Sequence, residues 1–220
     1  MDSMVNHYTA ARRLRSNDAY TPGGRAGMRP DYAVTVYTRI LKQLYPNVPV
    51  VLGGIEASLR RLTHYDYWTD TLKPSVLIDS GADYLVYGMG ERPIVELAKK
   101  LREHAALEEI RIIPQIAYLA ARPDEISCDP EKILYLPSHK ECRNSKKQFA
   151  EHFRIFEQKA NSSNPPVMAE PADAKEGITV VVNPPYPLMT TEELDAVYEL
   201  PFTYQAHPRY KGKSIPALEM

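Results

Sequence analysis

Apolar positions first fall into register near residue 30. Ala33, Tyr37, Ile40, Leu41 and Leu44 recur at i, i+4, i+7, i+8 and i+11, one stripe of an amphipathic helix. Pro30 fits its first turn, where a missing N–H costs nothing, and the charge of Asp31 suits the positive helix end. Pro46 and Pro49 stop it. Residues 48–52 then form a short continuous apolar run ending in Gly53-Gly54, the pattern of a parallel strand buried on both faces. A short helix is expected over 55–62. A second unit follows: an apolar Val76-Leu77-Ile78 run, then Tyr84-Leu85-Val86-Tyr87 as another buried strand ending at Gly88. Glu91-Arg92-Pro93 opens a helix with Ile94, Leu97, Ala98 and Leu101 on one face. Strands and helices in alternation, with glycines at the strand ends, predict an α/β fold built on a partial doubly wound parallel sheet.

The pattern weakens past residue 105. Residues 110–120 suggest a hairpin or a pair of short strands, and 133–136 another strand. Phe149, Phe153 and Phe156 share one helical face between about 141 and 159. Residues 161–177, rich in Asn, Ser and Pro, have the composition of a linker. A strand is expected at 178–182, and Thr190 with Glu193 fits a capping box for a short helix. Residues 1–29 carry no strand pattern. The last twenty residues hold Pro201, Pro208 and Pro216 and should wrap over a surface. The predicted organisation is an α/β domain over 1–104, an irregular α+β extension and linker over 105–177, and a closing segment over 178–220.

Composition narrows the function classes. In 220 residues, 44% hydrophobic and 25% charged is ordinary for a soluble globular protein. A net charge of −1 provides no global attraction to nucleic acid or a membrane surface. The pairs Arg12-Arg13 and Arg60-Arg61 are expected on solvated faces. No apolar run approaches the ~18 residues of a membrane span, and Asp2, Ser3 and Asn6 are foreign to a secretory signal. A cytoplasmic protein is the plain expectation. Two cysteines, Cys128 and Cys142, fit a reducing compartment and cannot supply four thiolates to a cluster.

Candidate chemistry concentrates at the glycines. Gly53-Gly54-Ile55-Glu56-Ala57-Ser58 would sit between a strand end and a helix start, where a ligand can approach the backbone and free N–H groups favour an anion. A tight βα turn with no ligand explains it equally well. Gly88-Met89-Gly90-Glu91 resembles part of a dinucleotide fingerprint, but Pro93 occupies the third glycine position and a Rossmann nicotinamide site is rejected. His64-Tyr65-Asp66-Tyr67-Trp68 would form either a ligand- or domain-facing loop at the sheet edge or an aromatic cap on the core. The six histidines are scattered, so no metal site is expected, and no nucleophile has a base nearby in sequence.

Several stretches together resemble the YgiQ family of radical SAM proteins. They are MDSMVNHYTA at 1–10, NDAYTP at 17–22, RPD at 29–31, VVLGGIEASLRRLTHYDYW at 50–68, DYLVYGMGERPIVE at 83–96, residues 182–200, His207-Pro208, and IPALEM at 215–220. The resemblance spans nearly the whole chain and is weakest at 105–175. It implies an N-terminal accessory domain, with strand–helix units upstream of Met1 and a radical SAM barrel soon after Met220. In the full-length family, a CxxxCxxC motif in that barrel would hold a 4Fe–4S cluster that cleaves S-adenosylmethionine. This chain lacks the motif, so it is expected to bind no cluster and to be inactive alone. Its partner would be the barrel of the same polypeptide, acting on an unknown small-molecule or macromolecular substrate. VVLGGIEAS and DYLVYGMGE also resemble segments of cobalamin-binding-like domains, although the histidine used for cobalt ligation is not present. The site residues expected to bind a ligand or face the barrel are Gly53, Gly54, Glu56, Ser58, His64, Asp66, Trp68, Gly88, Gly90 and Glu91. The competing expectation is a stand-alone module for a nucleotide or cobalamin.

Overall fold

The computed structural model describes residues 3–172 and 177–219. The chain divides into two compact units, one running Tyr37–Tyr186 and the other gathering the chain up to Val36 with the chain from Pro187 onward. The boundary expected near residue 104 therefore falls inside the larger unit.

In the smaller unit, helix α1 (Ser3–His7) leads into a network around two aspartates. His7 Nδ1 lies 2.9 Å from Asp31, the Tyr8 hydroxyl donates to the same carboxylate at 2.8 Å, and Arg29 donates to Asp18 at 2.7 Å. The tail does wrap, as its prolines suggested. Gly23 N–H donates to the Ser214 carbonyl and Ala217 N–H to that of Ala19. Later helix α9 (Thr191–Tyr198) begins with both halves of the predicted Thr190/Glu193 capping box.

Helix α2 (Ala33–Leu44) follows the predicted periodicity, and of its apolar stripe Ala33 is buried. Thr35 and Thr38 are buried, whereas Tyr37, Ile40, Leu41 and Leu44 are exposed. The larger unit continues with β1 (Val51–Leu52), α3 (Gly54–Leu59), the hairpin β2 (His64–Asp66) and β3 (Thr71–Lys73), α4 (Val76–Ser80), β4 (Tyr84–Val86), α5 (Glu91–Arg102) and α6 (Leu107–Arg111). It closes with β5 (Ile116–Ala120), β6 (Ile133–Tyr135), α7 (His139–Asn144), α8 (Lys146–Ala160), β7 (Val167–Pro171) and β8 (Thr179–Val182). Six strands form one sheet in the order β1-β4-β5-β8-β7-β6. The α/β class stands, and the two glycine-ended strands β1 and β4 pair in parallel, Val51 beside Tyr84. Parallel pairing recurs only at β6/β7 among the described residues, and the three central pairings are antiparallel. The first reversal comes from α5 and α6. A single crossover helix returns the chain to the same end of the sheet, while this helix pair delivers it to the opposite end. Tyr84, Val86, Leu97, Ile113, Ile116, Tyr118 and Val181 pack into the core beneath.

Other expectations change in detail. The 110–120 segment is not a hairpin: α6 ends at Arg111 and only β5 is a strand. The helix expected over 141–159 is two helices, because Ser145 is extended and caps α8 by accepting from Gln148 N–H. The linker expected at 161–177 holds β7, whose Met168, Ala169 and Glu170 are buried between β6 and β8. Prolines 165, 166 and 171 give that strand a linker's composition. The chain's weakest pattern thus supplies an interior strand.

Candidate functional site

Because β1 and β4 are parallel neighbours, the turns that follow them open at the same edge of the sheet. Val51, Leu52, Gly53, Gly54, Val86, Gly88, Gly90, Glu91 and Ile94 line a single open cavity there of about 490 Å³. The two glycine turns are tied together. Ser58 Oγ accepts from Gly88 N–H at 3.0 Å and donates to the Gly54 carbonyl at 2.8 Å. Gly54 and Gly88 have φ of +81° and +66°, left-handed values that a side chain would strain. Gly90 gives close approach: a Cβ there would stand 3.1 Å from Val86 Cγ1, which would have to shift by a few tenths of an ångström.

Glu91, at the first turn of α5, lines the crevice with one buried carboxylate oxygen, Oε2, that has no hydrogen-bond partner among the described residues. A buried acceptor in this state is costly and waits for a donor. Glu56 does not reach the crevice. It is buried and accepts from Arg60 Nη1 at 3.0 Å, so α3 carries an ion pair inside while Ile55 and Leu59 are exposed. This also overturns the solvated reading of Arg60-Arg61. Arg60 is buried between Glu56 and, at 4.0 Å, Asp66, and the Arg61 guanidinium lies 4.7 Å from the ring centres of both Tyr87 and Phe156. Burial pulls its pKa down.

Three further residues expected in the site lie elsewhere. His64 lines a different cavity. Asp66 is buried and accepts from the Thr69 N–H and hydroxyl at 3.0 and 2.6 Å, which fixes the β2–β3 turn. Trp68 packs edge-on against Tyr67, 5.3 Å between ring centres. The run of polar aromatics is a hairpin, not a crevice loop.

One supporting residue left no trace in the sequence. Gln115, at φ +64°, donates through Nε2 to the carbonyls of Tyr87 and Met89 and accepts at Oε1 from Tyr186 N–H, holding the β4–α5 turn in shape. A single glutamine before an apolar strand carries no local signal. Glu170 is another. Fully buried, it accepts from Thr63 N–H at 2.9 Å, the Thr63 hydroxyl at 2.7 Å and His152 Nε2 at 2.6 Å. The Thr63 oxygen in turn lies 3.0 Å from His139 Nδ1, which donates to it.

Among the described residues no group of three or more His, Cys, Asp or Glu could hold a metal ion, and the free thiols Cys128 and Cys142 do not fit a cluster site. No helix of the described residues is long and apolar enough to cross a membrane.

Comparison with known proteins is extensive in sequence. The model of the family described as Radical SAM N-terminal matches residues 1–220. The UPF0313 protein of Bacteroides thetaiotaomicron is 52% identical over 231 residues, covering 100% of this chain and 36% of its own length. Those of Porphyromonas gingivalis and Geobacter sulfurreducens are 52% and 48% identical, again over 100% of this chain, and 34% and 35% of their own lengths are covered. The chain thus spans about a third of the length of these curated relatives. No solved structure matches it.

Proposed function

The chain belongs to the radical SAM N-terminal family, and from that premise we propose that it is a positioning domain whose glycine crevice faces a linked radical SAM domain. The observation that carries this reading is the convergence of Gly53, Gly54, Gly88, Gly90 and the unpartnered Glu91 oxygen at one sheet edge. Exposed Ile55, Met89, Ile94 and Val95 stand on α3, α5 and the turn before it, and they provide apolar area for a neighbouring domain to cover. In this reading the full-length protein, of the YgiQ type, brings the 4Fe–4S cluster and S-adenosylmethionine in its barrel and acts in the cytoplasm. The residues of this chain bind neither group; they shape one wall of the site, and Glu91 receives a hydrogen bond from the facing domain or its substrate.

The test uses the full-length protein, reconstituted anaerobically. Glu91→Gln should leave the cluster absorbance intact while slowing reductive cleavage of S-adenosylmethionine or its coupling to substrate. Cluster loss, or unchanged kinetics, contradicts the reading. The competing reading, a stand-alone module for a nucleotide or cobalamin, draws support from the crevice volume, which falls within the ~300–1,000 Å³ of small-ligand clefts. Among the described residues no histidine lines the crevice to meet a cobalt ion. Saturable calorimetric binding of either ligand by the 220-residue chain favours the module.

A further inference from the structure

A second cavity of about 630 Å³ lies between α8 and the segment joining α3 to β2, separate from the glycine crevice. One wall is aromatic, made by Phe149, Phe153 and Phe156, and Leu59 and Leu62 add aliphatic surface. Its polar groups include Arg61, His64, Thr63, His152 and Glu157, with Tyr65 and Asn161 at the lining as well. Thr63 and His152 are engaged with Glu170. Tyr65 donates to Asp70 and Asn161 to Glu157, so Arg61, His64 and Glu157 decide what the cavity can hold.

Arg61 is a cation still lacking an anion. Its guanidinium carbon lies 4.7 Å from the ring centres of both Tyr87 and Phe156, and it donates to the Ser58 carbonyl. Nε is buried without a hydrogen-bond partner among the described residues. Among the described residues no carboxylate forms an ion pair with Arg61, and Glu157, the carboxylate whose field reaches it, accepts from Asn161. With Nη1 spent on the Ser58 carbonyl, the other guanidinium N–H groups are what remains for a planar anion.

His64 supplies the complementary group. Its Nδ1 lies 3.1 Å from the Leu62 carbonyl, which can only accept, so Nδ1 carries the proton. Burial lowers the pKa of this ring, leaving it neutral with Nε2 as an acceptor. Nε2 is buried and has no hydrogen-bond partner among the described residues. One cavity thus combines an aromatic wall, an unpaired guanidinium and a vacant imidazole acceptor.

We propose that this cavity binds an aromatic carboxylate bearing a hydrogen-bond donor, its ring against the phenylalanines, its carboxylate on Arg61 and its donor on His64 Nε2. This binding site is independent of the glycine crevice and of any role in the radical SAM reaction.

The test is ligand-observed NMR titration of the 220-residue chain with 4-hydroxyphenylacetate, phenylacetate and 4-hydroxyphenylacetamide. Saturable binding of the hydroxy acid is expected, with the amide weaker by about tenfold for loss of a charge-assisted contact, and phenylacetate weaker as well. Phe153→Ala, at an exposed ring that the fold does not need, should weaken the hydroxy acid several-fold. Arg61→Gln should abolish the preference for acid over amide. Absence of binding, equal affinity for acid and amide, or binding indifferent to Phe153→Ala overturns the proposal. The Phe153→Ala result decides the matter even where Arg61→Gln fails to fold.

Discussion

The hydroxyl of Ser58 accepts a hydrogen bond from the Gly88 N–H at 3.0 Å, thirty residues away in sequence. Through this contact the helix after β1 holds the turn after β4. The same hydroxyl donates to the Gly54 carbonyl, so both walls of the crevice rest on one side chain. Ser58→Ala should cost about 1 kcal/mol, the net value of such bonds, leaving the Gly88 N–H to find water. A urea midpoint unchanged by the substitution would show that the contact does not stabilise the fold.

Neighbouring glycines should respond differently to alanine. Gly53 has φ −153°, ordinary extended backbone, and its added Cβ would meet only Val86 O at 3.9 Å, so Gly53→Ala should be nearly neutral. Gly54→Ala meets no atom within 4 Å but must hold φ +81°, at about 1–2 kcal/mol. Gly88→Ala combines φ +66° with a 3.3 Å approach to Gln115 Nε2 and should cost more than either. Thermal unfolding of the three variants checks the order, and a Gly53→Ala loss as large as that of Gly88→Ala would refute it.

The Glu170 network gives the largest expected effect. Glu170→Ala would strand the Thr63 N–H and His152 Nε2 in the interior, a loss of about 3–5 kcal/mol. Glu170→Gln keeps the shape and one acceptor oxygen, so it should lose less. Chemical denaturation of the pair measures the difference; equal losses would mean that volume, not hydrogen bonding, is what this residue provides.

Alkaline pH should unfold the protein cooperatively. Burial raises the pKa values of Tyr84, Tyr87 and Tyr118, so the folded chain keeps these protons where the unfolded chain releases them. Their contribution is complete below the unfolded value of about 10 and is lost as pH climbs above it toward the folded values. Tyrosinate absorbance during base titration should therefore show exposed tyrosines first and a second step coincident with loss of secondary structure. Smooth ionisation of all fifteen tyrosines before unfolding would contradict this assignment.

The sequence made the crevice legible because its information is local. Glycines at strand ends and a helix start at Glu91 need no distant partner, and β1, β4 and α5 follow from them. Burial direction was not legible. The stripe Tyr37, Ile40, Leu41 and Leu44 has the period of a core face, yet in α2 it is exposed, and α3 buries Glu56 and Arg60 instead. Period fixes which residues share a face but not which face meets the sheet. β7 was hidden for another reason: its buried Glu170 is satisfied by residues up to 107 positions away, and prolines bracket it. His64 stands out in the sequence within its run of polar aromatics, but its surroundings, Arg61 and the α8 phenylalanines, meet only in three dimensions.

The central claim, that the glycine crevice faces a linked radical SAM domain, is tested most directly by hydrogen–deuterium exchange. Amides of residues 53–54 and 88–91 would be compared between the 220-residue chain and a full-length family protein containing it, with the β2–β3 turn at 67–70 as an internal reference. Exchange at the crevice should be slower in the full-length protein, with no change at the reference turn. Equal exchange at the crevice in both proteins would contradict it.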